Sequence, residues 1–202
     1  MSGYPEIIQK IINTFAKLPS VGPRTAERIV LYLLQQPDNL LKTLSQDLIN
    51  LNAQLTRCEL CRNFTEKSPC SICQGKNRDK NILCIVSGHS ELQAIEKTGH
   101  YHGLYFILDG CLEPIKNQGP EEIKIPQLIN RINSAKPKFN EIILAFNPDM
   151  SGETTALYLK KILSPLNITL TKLARGLPIG ADLEYTDDIT LTEALDNRQK
   201  IK

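Results

Sequence analysis

Apolar residues recur every three or four positions over the first quarter of the chain and gather into continuous runs further on. Residues 5–17 place Ile7, Ile8, Ile11, Ile12 and Phe15 on one face, and Pro5 suits a first turn, so this stretch predicts a helix. Leu18-Pro19-Ser20-Val21-Gly22-Pro23 breaks it. A second helix is expected from about Arg24, with Ala26, Ile29, Val30 and Leu33 at helical spacing and Pro37 as its end. Asp38 is placed to cap a third helix, whose buried stripe is expected to be Leu40, Leu41, Leu44, Leu48, Leu51 and Leu55.

Beyond residue 80 the pattern changes. Ile82–Val86 is a continuous apolar run, as in a parallel strand buried on both faces. Ser90 is read as the cap of a short helix through Lys97, ended by Gly99. Strands are expected at 104–108, 141–145 and 168–173, and helices at 125–132 and 152–163. Strands alternating with helices imply right-handed crossovers and a parallel sheet.

Cys58-x2-Cys61 and Cys70-x2-Cys73 frame an eight-residue interval between these halves. Each Cys-x-x-Cys turn aims two thiolates at one point, and two such turns supply the tetrahedral set that structural Zn²⁺ prefers. With cysteine at all four positions no site stays open for water, so one structural zinc per chain is expected. The segment has few core formers, and metal binding offers it about 10–16 kcal/mol of apparent free energy. Disulfides or redox pairs are the competing reading, but no thioredoxin-like unit opens around either pair. Cys84, inside a strand pattern, reads as a small buried apolar residue.

Gly22 and Pro23 join the first two helices by a tight turn, with Gly22 expected to adopt a conformation that other residues avoid. Free N–H groups at the start of the second helix suit a phosphate, and Arg24 and Arg28, four apart, share one helix face. The segment resembles a helix-hairpin-helix, a reader of the DNA backbone without sequence preference. The candidate DNA contacts are Gly22, Arg24, Thr25 and Arg28. An ordinary helical hairpin punctuated by Gly and Pro is the alternative.

Composition adds little. Net charge is +2, but residues 1–80 carry 11 Lys/Arg against 7 Asp/Glu, so the positive end is the hairpin end. No basic leader precedes an apolar core, and no apolar run approaches the ~18 residues of a membrane span. A cytoplasmic protein is expected, in a compartment where paired cysteines point to metal.

The order of these parts in one chain of 202 residues, with Gly103-Leu104-Tyr105, Gly110-x-Leu112-x-Pro114, Thr155–Leu159 and the tail Leu173–Asp187, resembles the RecR family of bacterial recombination proteins. The resemblance covers essentially the full chain. It implies an α+β protein of several parts: a helix-hairpin-helix over 1–56, a four-cysteine zinc finger over 57–75, a Toprim domain with a parallel sheet over 80–175, and an assembly segment over 176–202. Toprim enzymes hold Mg²⁺ on an acid after the first strand and an Asp-x-Asp after the third. Here the first place reads Ser87-Gly88, and the second reads Asn147-Pro148-Asp149-Met150-Ser151-Gly152-Glu153. Asp149 and Glu153 remain as vestigial acids, with Glu91 further along the chain, too few for a two-metal site. His89, His100 and His102 are read as surface histidines.

The resemblance therefore implies a non-catalytic mediator of recombinational repair. It would bind single- and double-stranded DNA, act with RecO-like and RecF-like proteins, and help load a RecA-type recombinase at single-strand gaps. Its apolar tail needs a partner surface, and the family implies a homodimer or a homotetrameric ring. A Toprim-type Mg²⁺-dependent nuclease or primase-like enzyme is the main alternative, and a zinc-ribbon RNA-binding module a third. On this reading the zinc segment is a rigid joint between DNA grip and partner surface.

Overall fold

Isoleucines at helical spacing fold as α1 (Glu6–Phe15), and α2 (Pro23–Leu34) starts on its proline, where the missing N–H costs nothing. In a computed structural model that describes residues 3–116, 118–198 and 200, the side chains of Asp38, Asn52 and Lys116 excepted, the chain divides between Leu55 and Thr56 into two units. The expectations resting on Met1 and Ser2, on the Asp38 side chain and on tail residues Gln199, Ile201 and Lys202 lie outside the described residues.

The first unit has a small core of Ile12, Ala26 and Val30, with Ile8, Phe15, Ala16 and Val21 packed around it. The third helix, α3 (Asp38–Gln54), starts at Asp38, so that residue is the first helical position and Pro37 the cap. Its leucine stripe is not buried. Leu48 is 60% and Leu51 61% exposed, and Leu40, Leu41, Leu44 and Leu55 are also open. Only Leu41, Leu44 and Leu48 reach the apolar groove of about 220 Å³ that Ile11, Phe15, Val30 and Leu33 line with them. A unit this short has too little surface of its own to cover a helix of 17 residues.

The second unit opens with an antiparallel ribbon, β1 (Thr56–Arg57) and β2 (Phe64–Thr65), and a single helical turn, α4 (Ser71–Gln74). Then come β3 (Asp79–Val86), α5 (His89–Lys97), β4 (Gly103–Ile107), α6 (Ile125–Ser134), β5 (Glu141–Ala145), α7 (Met150–Leu163), β6 (Thr169–Lys172) and α8 (Asp188–Asp196). The four long strands form an all-parallel sheet in the order β4-β3-β5-β6. Alternation along β3 separates two cores. Leu83 and Ile85 join Phe106, Ile142, Leu128, Ile132, Leu159 and Leu163 on one face. Cys84 and Val86 join Tyr105, Ile107, Leu92 and three of the four paired cysteines on the other. Cys84 is buried as expected, and burial pushes its thiol up to about 12.

Some boundaries differ from the reading. Gly88, not Ser90, caps α5, because the chain stays extended through Gly88 and turns helical at His89. Gly99 ends that helix region in the left-handed conformation, at φ +67. Helix α8 was not expected. Its cap is Asp187, whose carboxylate accepts from Thr190 N–H at 2.9 Å. Where α7 begins, Gly152 is pressed against the Asn147 carbonyl, and any Cβ there would collide with it.

Candidate zinc centre and nucleic-acid contacts

The two Cys-x-x-Cys turns meet. Cys58, Cys61, Cys70 and Cys73 offer sulfurs that all lie within 4.8 Å of one another. Cys58 Sγ stands 3.9 Å from Cys73 Sγ, and Cys61 Sγ 3.5 Å from Cys70 Sγ. A tetrahedral ion with Zn–S bonds of about 2.3 Å needs sulfurs about 3.8 Å apart. Both separations are far beyond a disulfide bond of about 2.05 Å. The first turn closes on itself: Cys58 N–H donates to Asn63 O and Arg62 N–H to Cys58 O, both at 2.8 Å. Backbone N–H groups then point at sulfur, Asn63 to Cys61 Sγ at 3.4 Å and Cys70 to Cys58 Sγ at 3.3 Å.

Charge argues for a cation here. Burial pushes the Cys58 thiol up, but backbone N–H groups outweigh it and bring it to about 7. The Cys73 thiol beside it, then burial, drive Cys61 far above the usual thiol range, and burial carries Cys70 to about 11. Burial thus disfavours thiolates at Cys61 and Cys70. Four thiolates require the compensating charge that Zn²⁺ supplies. The donor set thus fits zinc and leaves no ligand position for water.

The centre is built into the sheet. Ile107 N–H, on edge strand β4, donates to Cys61 O at 3.0 Å. Cys58, Cys61 and Cys70 sit in the same core cluster as Cys84, Tyr105 and Leu92. Just after the metal segment, Arg78 donates to both oxygens of Glu96, with Oε1 at 2.9 Å, and to the carbonyls of Tyr101 and Gly103 at 3.3 Å. Tyr105 OH donates to Glu96 at 2.7 Å. The Arg78 hydrogen bonds hold the Glu96 carboxyl below its usual range. The zinc segment is therefore a cover for one sheet face, and the chain divides before it, at residue 55.

At the hairpin, Val21 N–H bonds Leu18 O at 3.1 Å and Ala26 N–H bonds Gly22 O at 2.9 Å. Gly22 itself has φ −78 and ψ 169, an ordinary extended conformation; the left-handed residue of the turn is Ser20, at φ 62. A Cβ at Gly22 would meet nothing within 4 Å. No side chain caps α2. Gly22, Arg24, Thr25 and Arg28 are all exposed, and no ion pair or side-chain hydrogen bond engages either arginine among the described residues.

The acids left in the α/β unit hold structure. Asp149 caps α7, accepting from Gly152 N–H at 2.8 Å. Glu153 pairs with Arg175, which also lies 3.7 Å from Glu193 on α8. Among the described residues the four cysteines are the one group of three or more metal-ligating side chains drawn together. His100 and His102 are exposed, and His89 is half-buried. Its ring stacks on Phe64 at 4.1 Å, Nδ1 lies 3.1 Å from Asn63 Oδ1, and Nε2 touches Arg57. Asp109 completes this cluster, 3.2 Å from Arg57 and 2.6 Å from Arg62. Sequence reasoning missed it because its members are far apart in the chain.

Known families match the chain in the order of its parts. The patterns described as the RecR helix-hairpin-helix, the RecR four-cysteine zinc finger domain, the Toprim domain and the RecR C-terminal region match residues 8–51, 55–74, 81–174 and 176–199. A protein named Recombination protein RecR from Chloroherpeton thalassium is 42% identical over 198 residues, spanning 96% of this chain and 97% of its own length. One of the same name from Staphylococcus saprophyticus is 42% identical over 198 residues, spanning 98% and 99%.

Proposed function

Since the chain belongs to the RecR family of recombination proteins, we propose that it is a non-catalytic DNA-binding mediator of recombinational repair that grips the DNA backbone at Gly22, Arg24, Thr25 and Arg28. One observation carries the reading: the start of α2 is exposed and uncapped, with two arginines that have no partner among the described residues. Uncapped N–H groups and free guanidiniums form an anion site. The glycine supports it. Neither φ nor crowding within the chain calls for glycine at 22, whereas a phosphate backbone lying against that position would.

Gly22→Ala meets no clash, and the gain from a stiffer unfolded chain is offset by the loss of a better N-cap residue, so stability should change by no more than about 1 kcal/mol. The same change weakens DNA binding about tenfold, equivalent to about 1.4 kcal/mol. Thermal unfolding and anisotropy of a labelled duplex measure the two effects on one preparation. A loss of stability without loss of binding would make Gly22 a folding residue only.

No chemistry is assigned to Asp149 and Glu153. They are vestigial Toprim acids, one a helix cap and the other held by Arg175. Cleavage or primer synthesis by pure protein with Mg²⁺, abolished by Asp149→Ala, would reverse this reading. The mediator role is tested by anisotropy on gapped, single-stranded and duplex DNA and on RNA, with and without a RecO-like partner. A RecO-like or RecF-like protein should raise affinity for the gap, and a RecA-type filament should then form faster on DNA coated with single-strand-binding protein. Preference for RNA would favour a zinc-ribbon RNA module.

The leucine face of α3 and the tail residues Ile179 and Tyr185 are apolar and uncovered in one chain, which supports a homodimer or a homotetrameric ring. Light scattering at micromolar concentration should give at least twice the 22.7 kDa of the chain. Leu48→Glu with Leu51→Glu should lower it.

A further inference from the structure

Phe64 stands opposite Arg57 on the β1–β2 ribbon and is 50% exposed. The Arg57 guanidinium lies 4.0 Å from its ring centroid, and the His89 ring stacks on it at 4.1 Å with an interplanar angle of 22°. Arg57 and His89 also touch each other. Groups on opposite faces at those distances would be too far apart to meet, so both lie on the same side of the Phe64 ring. That side carries Arg57 and His89, and half of the Phe64 surface stays exposed.

The ring belongs to none of the buried core clusters. It is nevertheless fixed. Its strand follows directly from the first zinc turn, where Cys58 N–H bonds Asn63 O at 2.8 Å. His89, behind it, is anchored by Asn63. Two guanidiniums lie beside it, Arg57 and Arg62, both paired with Asp109. A half-exposed aromatic ring, braced by His89 and flanked by two arginines, suits a polyanion that carries flat apolar faces. Single-stranded nucleic acid is that ligand: cations draw the backbone, and aromatic side chains stack unpaired bases. A duplex offers no base face away from its ends.

We propose that Phe64 is a stacking platform for an unpaired base of single-stranded DNA, with Arg57 and Arg62 beside it to meet the neighbouring phosphates. The inference rests on the DNA-binding reading above and adds a contact that the hairpin does not provide.

The chain has no tryptophan, so Phe64→Trp places a single reporter at the site. The full-length variant is titrated with fluorescein-labelled oligo(dT) and with a blunt duplex of equal length, while anisotropy follows total binding. With oligo(dT), the indole emission should fall as bases stack on it. With the duplex it should stay level. Phe64→Leu keeps apolar contact with Arg57 and His89 but has no π face; it should bind oligo(dT) about 5- to 30-fold more weakly, with duplex binding unchanged. Zinc content and melting temperature confirm that each variant is folded. Unchanged indole emission from Phe64→Trp at oligo(dT) saturation, or full affinity in Phe64→Leu, overturns the platform and leaves the hairpin reading standing. No anisotropy change with either DNA overturns both.

Discussion

Removing zinc, by chelation or by Cys61→Ser, is expected to lower the melting temperature of the α/β half by about 10 °C or more. Metal binding contributes about 10–16 kcal/mol in isolated zinc-finger peptides. Here the metal also holds the cover of a sheet face, since Cys58, Cys61 and Cys70 share a core with Cys84, Val86, Leu92, Tyr105 and Ile107. Without a cation, the thiols of Cys61 and Cys70, pushed above their usual range, stay protonated, and the two turns are left with the Cys70 N–H to Cys58 Sγ bond and their packing on the sheet. Ile107 N–H on the edge of β4 would also lose its partner, Cys61 O. Even a partial loss of about 4 kcal/mol, at about 2–4 °C per kcal/mol for a unit of this size, is a fall of about 8–16 °C. Circular dichroism with and without chelator gives the melting temperatures, and a chromophoric zinc assay gives the stoichiometry. Protein that holds well under one equivalent of zinc and melts unchanged would refute the centre. The hairpin unit has its own core around Ile12, Ala26 and Val30, so its helices should persist after zinc is gone.

That outcome separates what the sequence could tell from what it could not. The zinc ligands were legible because two Cys-x-x-Cys turns leave few alternatives for their geometry. The strands were legible because a parallel sheet covered on both faces needs continuous apolar runs, as at Ile82–Val86. What covers the second face was not legible. Nothing in the spacing of the cysteines says that they pack on Cys84 and Tyr105, so a segment that covers the sheet reads as a joint. The α3 stripe misled for a related reason. A leucine every three or four residues shows that a helix face is apolar, not that this chain covers it. Helix α8 carries a clear cap in Asp187, but Ile189, Leu191 and Leu195 alternate with threonine and acid and do not form a dominant stripe. His89 depends on contacts 26 and 32 residues away in the chain, which no local pattern encodes.

The hairpin shows the same limit in a milder form. The Gly-Pro signature predicts the turn, but for the wrong reason. Ser20 takes the left-handed conformation and Gly22 stays extended. What remains to explain glycine at 22 is the space in front of it, and that space matters only if something approaches from outside. On the proposed DNA-binding reading, function and fold place different demands on neighbouring residues of one turn.

The double variant Arg24→Ala, Arg28→Ala should lose DNA affinity and flatten its dependence on salt. Each guanidinium that neutralises a phosphate releases condensed counterions, and for duplex DNA each contributes about 0.9 to the slope of log K against log[salt]. Losing two contacts should therefore reduce that slope by about 1.8. At ~1 kcal/mol for each exposed charge contact, affinity near 0.1 M salt should fall about 30-fold. The loss should be the same for any sequence, because phosphate contacts carry no sequence information. Stability should stay within about 0.5 kcal/mol, since both side chains are exposed and engage no partner among the described residues. Arg24→Lys with Arg28→Lys keeps the charge and should keep most of the slope, while the planar fork that binds phosphate bidentately is lost. Anisotropy titrations of a labelled duplex from about 50 to 200 mM NaCl separate the variants. If the alanine pair binds with unchanged affinity and slope, the start of α2 is an ordinary helical corner and the grip lies elsewhere. If the slope falls but the Phe64→Trp reporter still shows stacking on oligo(dT) in the same background, hairpin and platform contact DNA independently, one through the backbone and the other through the bases.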